Sequence, residues 1–213
     1  MTGPQPGGAD PAAAVVAEGM EVRYHGGPQP AVRGVSLILR PGQGLMVSGP
    51  AGAGKTSLLR GLLGLVDHRG ALAVLGGPPG GPAARGRTGY GPQGTGFATG
   101  LLVSETVRTA LALRRTTAGT AEQALERAGL AYVASWRTSR LDAEGFRRLS
   151  LALAIAGDPD LVVLDDPWVL TETLAEIRAA RARGAAVVVA ARRPAGLAPA
   201  LGRRIVLLDG APR

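Results

Sequence analysis

At 213 residues with a formal net charge of +8, the chain is long enough for one α/β domain with a substantial core and short for two. The absence of cysteine excludes disulfides, thiolate metal sites and a cysteine nucleophile. The longest apolar runs, such as 185–191, fall well short of the ~20 residues that span a bilayer.

Read in chain order, residues 1–18 are rich in Pro, Gly and Ala without periodicity and are expected to be a disordered lead-in. They lack the basic n-region and apolar h-region of a signal peptide. Residues 19–213 read as a single domain. Met20 to Tyr24 alternates like an edge strand, and Val35 to Leu39 like another. After the turn Pro41-Gly42-Gln43-Gly44 comes a short buried strand, Leu45 to Ser48, and then leucines at helical spacing from Thr56 to Leu65. The Gly- and Pro-dense stretch 76–99 reads as loop. A helical pattern runs from Leu101 to about Leu153 and is broken by Pro159. Buried strands at Leu161–Leu164 and Ala186–Ala190 flank a helix around Thr171–Arg183, and a last strand covers Arg204–Leu208. Apolar strands alternating with helices predict a parallel sheet covered on both faces.

The 24 basic residues outnumber the 16 acidic ones, yet they are scattered as pairs such as Arg114-Arg115, Arg147-Arg148, Arg192-Arg193 and Arg203-Arg204. Aromatic residues make up 3% and do not interleave with them, so no dedicated nucleic-acid surface is expected. Both histidines, His25 and His68, lie in the first third, so histidine chemistry in the C-terminal half would have to come from another chain. Every basic residue except Lys55 is arginine, and asparagine is absent. The sole lysine therefore marks a place where a compact, flexible ammonium is required.

That lysine completes Gly49-Pro50-Ala51-Gly52-Ala53-Gly54-Lys55-Thr56, a match without exception to G-x-x-x-x-G-K-[ST], set between a buried strand and a helix. Glycines let the main chain curl so that successive N–H groups face a phosphate, and the helix N-terminus adds its partial positive charge. Lys55 would neutralise the β- and γ-phosphate oxygens, and the Thr56 hydroxyl would ligate Mg²⁺. Asp165, at the end of four aliphatic residues, is the candidate carboxylate for the same ion. The competing readings are a Gly-rich turn with an incidental lysine and a strand-end Asp that caps the next turn.

With these parts in place the chain resembles the ATP-binding cassette family, the nucleotide-binding subunits of ABC transporters, from about Met20 to Gly210. The resemblance implies a P-loop NTPase fold, in which a mostly parallel sheet flanked by helices is joined to an N-terminal antiparallel β part and a helical subdomain at about 97–150. It implies ATP and Mg²⁺ as ligands, held by the loop from Gly49 through Lys55, Thr56 and Ser57. Tyr24 stands where the family stacks an aromatic on adenine. Gln93, in Gly91-Pro92-Gln93, stands at the family's Q-loop glutamine, near Mg²⁺. Leu102 to Val107, Asp158-Pro159 and Leu208-Asp209-Gly210 also fall in register. The implied partners are a membrane permease and a second cassette, which would place the chain on the cytoplasmic face of the membrane.

Several positions depart from the family pattern. The signature loop Leu-Ser-Gly-Gly-Gln corresponds to Leu141-Asp142-Ala143-Glu144-Gly145, where two carboxylates would face a partner's phosphates. The catalytic glutamate position holds Asp166, one methylene shorter. The D-loop segment Val169-Leu170-Thr171-Glu172 does not match. The switch histidine corresponds to Ala191; Arg192 or Arg193 beside it could contact phosphate, but a solvated loop arginine is the preferred reading. Binding groups are kept and turnover groups are lost, so Mg²⁺-ATP binding with slow hydrolysis is expected. A nucleotide-dependent regulatory module is the alternative. A P-loop kinase fits less well, because the order of Tyr24, Gln93 and Asp165 is cassette-like.

Overall fold

The computed structural model describes residues 12–27, 29–94 and 100–213. Strands β1 (Val15–Val22) and β2 (Val32–Leu39) pair antiparallel, and β4 (His68–Val74) pairs with the other edge of β1. Strand β3 (Gly44–Ser48) leads into helix α1 (Lys55–Leu62). Beyond the short helix α2 (Pro82–Arg85) and strand β5 (Thr88–Gly91), three helices form a side lobe: α3 (Val103–Arg114), α4 (Ala121–Arg127) and α5 (Ala143–Ile155). Strand β6 (Leu161–Asp165), helix α6 (Thr171–Ala182), strand β7 (Ala186–Ala191), helix α7 (Ala198–Leu201) and strands β8 (Gly202–Leu208) and β9 (Ala211–Pro212) complete the chain.

The main sheet has the order β5-β6-β7-β3-β8-β9 and is parallel except for the final β8–β9 pair. Its interior strands are apolar on both faces because both faces are covered. Met46, Val162, Leu164, Val187 and Val189 pack toward the helical lobe and α6. Leu45, Val47, Leu161, Val163 and Val188 pack toward α1 and the antiparallel sheet. Alternation with period two thus sends neighbouring residues of one strand into two different cores.

Three local expectations are corrected. The lead-in expected to run through residue 18 ends earlier, since Val15 to Glu18 belong to β1; residues 1–11 lie outside the described residues. β1 is also the centre of its sheet rather than an edge. A bulge shifts its register between Ala17 and Met20, where Gly19 has φ 58°. That bulge breaks the alternation, so only the second half reads as a strand. Finally, the stretch 76–99, of which 95–99 lie outside the described residues, contains the short helix α2 and β5 rather than loop alone. A Cβ on Gly89 would lie 1.8 Å from the Ala154 carbonyl oxygen, and one on Gly91 2.7 Å from that of Ser150. The glycines that suggest a loop are there so that the backbone of α5 can lie against the strand.

Candidate functional site

The site lies at the C-terminal ends of β3, β6 and β7, where an open parallel sheet gathers its loops. The turn from β3 into α1 closes on two glycines that cannot be replaced. Gly49 has φ 148°, and a Cβ there would sit 2.2 Å from the Leu207 carbonyl oxygen. Gly54 has φ 92°, and its Cβ would meet the Ala31 carbonyl oxygen at 2.1 Å. Gly54 also caps α1, which offers its free N–H groups with no side chain or first-turn acid in front of them. An added carbon at either position would collide with neighbouring main chain, so the curl that turns main-chain amides toward a phosphate depends on both glycines.

Lys55 follows at the first position of α1. It is 8% exposed, and its Nζ donates to the carbonyl oxygens of Gly49 at 2.9 Å and Pro50 at 2.7 Å. An ammonium has three donors, so one remains. Burial lowers its pKa, while Asp166 and Asp165 oppose that shift. Thr56 Oγ1 donates to Asp165 Oδ1 at 3.1 Å, which joins the phosphate loop to the end of β6. Asp165 is 3% exposed and its pKa is raised by burial and by the Asp166 charge, against the hydrogen bond from Thr56 and the nearby Arg60 and Lys55.

Asp166 turns away from the strand with φ 49°, and its N–H bonds Ala190 O at 2.7 Å. Asp tolerates this left-handed conformation better than most residues. Gln93 reaches across from the end of β5 and donates through Nε2 to Asp166 Oδ2 at 3.0 Å. Its loop is held by Ser150 of α5, whose hydroxyl donates to Pro92 O at 2.8 Å. One cavity of about 250 Å³ is lined by Ala51, Gly52, Ala53, Gly54, Lys55, Thr56, Ser57, Gln93, Asp165 and Asp166, with Ala31 and Arg192 closing it. The lining thus contains most of the residues expected at the site. Gly49 and Pro50 serve it from behind through their carbonyls on Lys55.

Tyr24 stands at the margin. It is 37% exposed, its hydroxyl donates to Ser57 Oγ at 3.3 Å, and it lines a neighbouring cleft with His25, Asp67 and His68. Arg192 was expected to be a solvated loop residue. Instead its Nε donates to Asp166 Oδ2 at 2.8 Å and its backbone N–H to Asp166 Oδ1 at 3.1 Å. Nothing local in the sequence signals this pairing, which joins the ends of two different strands. Ala191 itself is buried at the end of β7 and carries no polar group into the cavity.

The segment Leu141–Gly145 forms the start of α5, with Asp142 as its N-cap. The Asp142 carboxylate accepts from the Gly145 N–H at 2.8 Å, and Glu144 pairs with Arg148 at 2.8 Å. The helix end is thus already served by its own acids.

The family model for the ABC transporter matches residues 32–169. The chain belongs to this family. The zinc import ATP-binding protein ZnuC of Paracoccus denitrificans is 37% identical over 145 residues, covering 67% of this chain and 53% of that relative. ZnuC of Roseobacter denitrificans is 34% identical over 160 residues, covering 70% and 54%. The lipoprotein-releasing system ATP-binding protein LolD 1 of Rhodopirellula baltica is 31% identical over 208 residues, covering 87% and 89%. The chain therefore spans about half the length of the two ZnuC relatives. Among solved structures, the ATP-binding cassette MJ0796, a dimer in a post-hydrolysis state bound to ADP and Pi, has a TM-score of 0.84 at 21% identity, covering 93% of this chain and 96% of that one. An ATP-binding subunit of an ABC transporter has a TM-score of 0.82 at 19% identity, covering 93% and 88%. At those identities the structural likeness is one of fold, and it is the ABC cassette fold, with its parallel sheet, antiparallel β part and helical lobe.

The oxygen donors fit a magnesium ion. That ion takes one or two carboxylates, hydroxyl oxygens and substrate phosphates rather than a cage of protein ligands. Asp165 and Thr56 supply such a pair side by side, and among the described residues the carbonyl oxygen of Gln93 has no partner, its amide nitrogen being the group on Asp166. Among the described residues no cluster of three or more His, Cys, Asp or Glu could hold a metal by itself.

Proposed function

We propose that this chain is the nucleotide-binding subunit of an ABC-type transporter, that it holds Mg²⁺-ATP in the cavity behind Lys55, and that it hydrolyses ATP slowly. The observation that carries the reading is the hydrogen bond between Thr56 and Asp165 beside a buried lysine and an uncapped helix N-terminus. Amides of residues 51–57 would bind the phosphates, and Lys55 would place its remaining donor and its charge on the β- and γ-oxygens. Thr56 and Asp165 would hold magnesium, which when bound draws negative charge from the phosphates. Tyr24, next to Ser57, is the residue available to the adenine ring. Its hydroxyl donates to Ser57 Oγ at 3.3 Å, which supports that reading.

Slow turnover follows from what surrounds the reacting end. Asp166, at the position of a water-activating base, is short, faces into a left-handed turn and already accepts hydrogen bonds from Gln93 and Arg192. A base must reach the attacking water within hydrogen-bond distance. Ala191 offers no imidazole. If a second cassette closes on this one, the start of α5 presents Asp142 and Glu144 to that cassette's phosphates, with the Gly145 N–H already engaged. The same capped helix end favours, as a second reading, a nucleotide-dependent regulatory module that never completes a composite site.

No helix among the described residues is long and apolar enough to cross a membrane. Placement on the cytoplasmic face would therefore come from a permease partner, with a second cassette as the other partner. Single-turnover measurement on the purified chain tests the proposal. Nucleotide binding that is lost in Lys55→Ala, with turnover far below the ~1–100 s⁻¹ usual for phosphoryl-transfer enzymes, is expected. Turnover inside that range would overturn the slow-hydrolysis half.

A further inference from the structure

The carboxylate of Asp166 is more heavily engaged than a general base should be. Oδ2 accepts from Gln93 Nε2 at 3.0 Å and from Arg192 Nε at 2.8 Å, and Oδ1 accepts from the Arg192 backbone N–H at 3.1 Å. The ion pair is asymmetric in exposure, with the Asp166 side chain 15% exposed and that of Arg192 57% exposed. The acid is the shielded member and the guanidinium the solvated one.

Arg192 spends only Nε and its main-chain N–H on this contact. Among the described residues its two terminal amino groups make no hydrogen bond, and the side chain lines the same cavity as Lys55 and Thr56. A planar fork with free N–H groups is suited to two oxygens of one phosphate. The cavity itself is balanced, with Lys55 and Arg192 set against Asp165 and Asp166. An arriving polyanion tips that balance, and the guanidinium of Arg192 is the member of the pair left open to solvent and ligand. Lys55 would serve the β- and γ-oxygens from the loop side, next to the Thr56–Asp165 pair that would hold magnesium. Arg192 follows β7, the strand that pairs with β3, and lines the same cavity.

We infer that Arg192 is a specificity-determining cation for the terminal phosphate of a nucleoside triphosphate, and that Asp166 is its positioning residue rather than a base. The inference rests on the reading of the cavity as a nucleotide site. It assigns to this chain its own means of distinguishing triphosphate from diphosphate, at a position where Ala191 supplies none.

Calorimetry on the full chain with Mg²⁺ tests this, with ADP and the β,γ-imido analogue of ATP as probes. Wild type is expected to bind the analogue more tightly than ADP. Arg192→Ala should weaken the analogue by about tenfold, the loss of one charge-assisted contact, and leave ADP within about twofold. Arg192→Lys should recover part of the preference, because it restores charge without the fork. Asp166→Ala, which removes the tether and leaves the arginine, should also reduce the preference without weakening ADP. An unchanged analogue-to-ADP ratio in Arg192→Ala, or an equal loss of both ligands, overturns the role of Arg192. Full preference in Asp166→Ala overturns the tether. Lys55→Ala separates these results from the broader reading: if it binds both nucleotides like wild type, the cavity is not the phosphate site at all.

Discussion

Thr56 and Asp165 stand 109 residues apart in the chain, yet the hydroxyl of one donates to the carboxylate of the other at 3.1 Å. The first is delivered by the start of α1 and the second by the end of β6, so the contact depends on the packing of both against the same sheet. It also keeps a buried acid from standing alone.

That acid opposes stability in the free protein. Burial raises the folded-state pKa of Asp165 above its unfolded value. The fold therefore favours the protonated form, and stability falls as pH rises through the folded pKa. Asp165→Asn should keep or raise the melting temperature near neutral pH, by about 2–4 °C per kcal/mol gained for a chain of this size, while abolishing the magnesium-dependent part of nucleotide binding. In wild type, magnesium-dependent affinity should begin to fall on acidification at a higher pH than an ordinary carboxylate would dictate. Thermal shift across a pH series, with and without the ion, measures both. A marked destabilisation of Asp165→Asn would show that the acid holds the fold together.

The phosphate loop has no room at Gly54. Its φ of 92° and the 2.1 Å approach to the Ala31 carbonyl mean that Gly54→Ala must move the loop or β2. We expect a cost of at least about 2 kcal/mol, the scale of a non-glycine residue forced into a strained conformation, and loss of nucleotide binding. Gly52→Ala is the informative contrast. Its φ is also positive, but nothing lies within 4 Å of the added carbon, so it should cost less. Equal effects would mean that backbone conformation alone, and not the collision, controls the loop.

A second collision tests the seam between the helical lobe and the sheet. Gly89→Ala places a carbon 1.8 Å from the Ala154 carbonyl oxygen. It should push α5 away from β5, disturb the Ser150–Pro92 bond that holds the Gln93 loop, and lower the melting temperature more than Gly54→Ala does. A soluble protein with an unchanged melting temperature would contradict this packing.

Away from the site, Arg127 of α4 grips Glu176 of α6 through two hydrogen bonds, 3.0 and 2.5 Å, and reaches Asp158 at 2.9 Å. Its pKa is raised, first by the bonds it donates to Glu176 and then, against burial, by the bond to Asp158. Glu176 is buried, so Arg127→Ala strands a carboxylate. The cost should be about 2 kcal/mol, below the range for fully buried pairs because the arginine is partly solvated. Arg127→Ala combined with Glu176→Ala should cost less than the sum of the two single changes. Strict additivity in denaturant unfolding would deny the coupling.

Much of this protein is legible without coordinates because its signals are local. The curl from Gly49 to Thr56, the lone ammonium of Lys55 and the doubly apolar runs of β6 and β7 each sit within a few consecutive residues. Their backbone requirements are written in the residues themselves. What tertiary structure alone decided involves distant partners. The bulge at Gly19 hides the fact that β1 is central. The glycines of β5 resemble a loop until α5 is seen lying against them. The arginine after β7 is indistinguishable from any surface arginine until β6 brings Asp166 beside it. Local sequence specifies which conformations a segment can adopt. Which charges meet at the ends of neighbouring strands is set by the order of strands in the sheet, and that order is a property of the whole core.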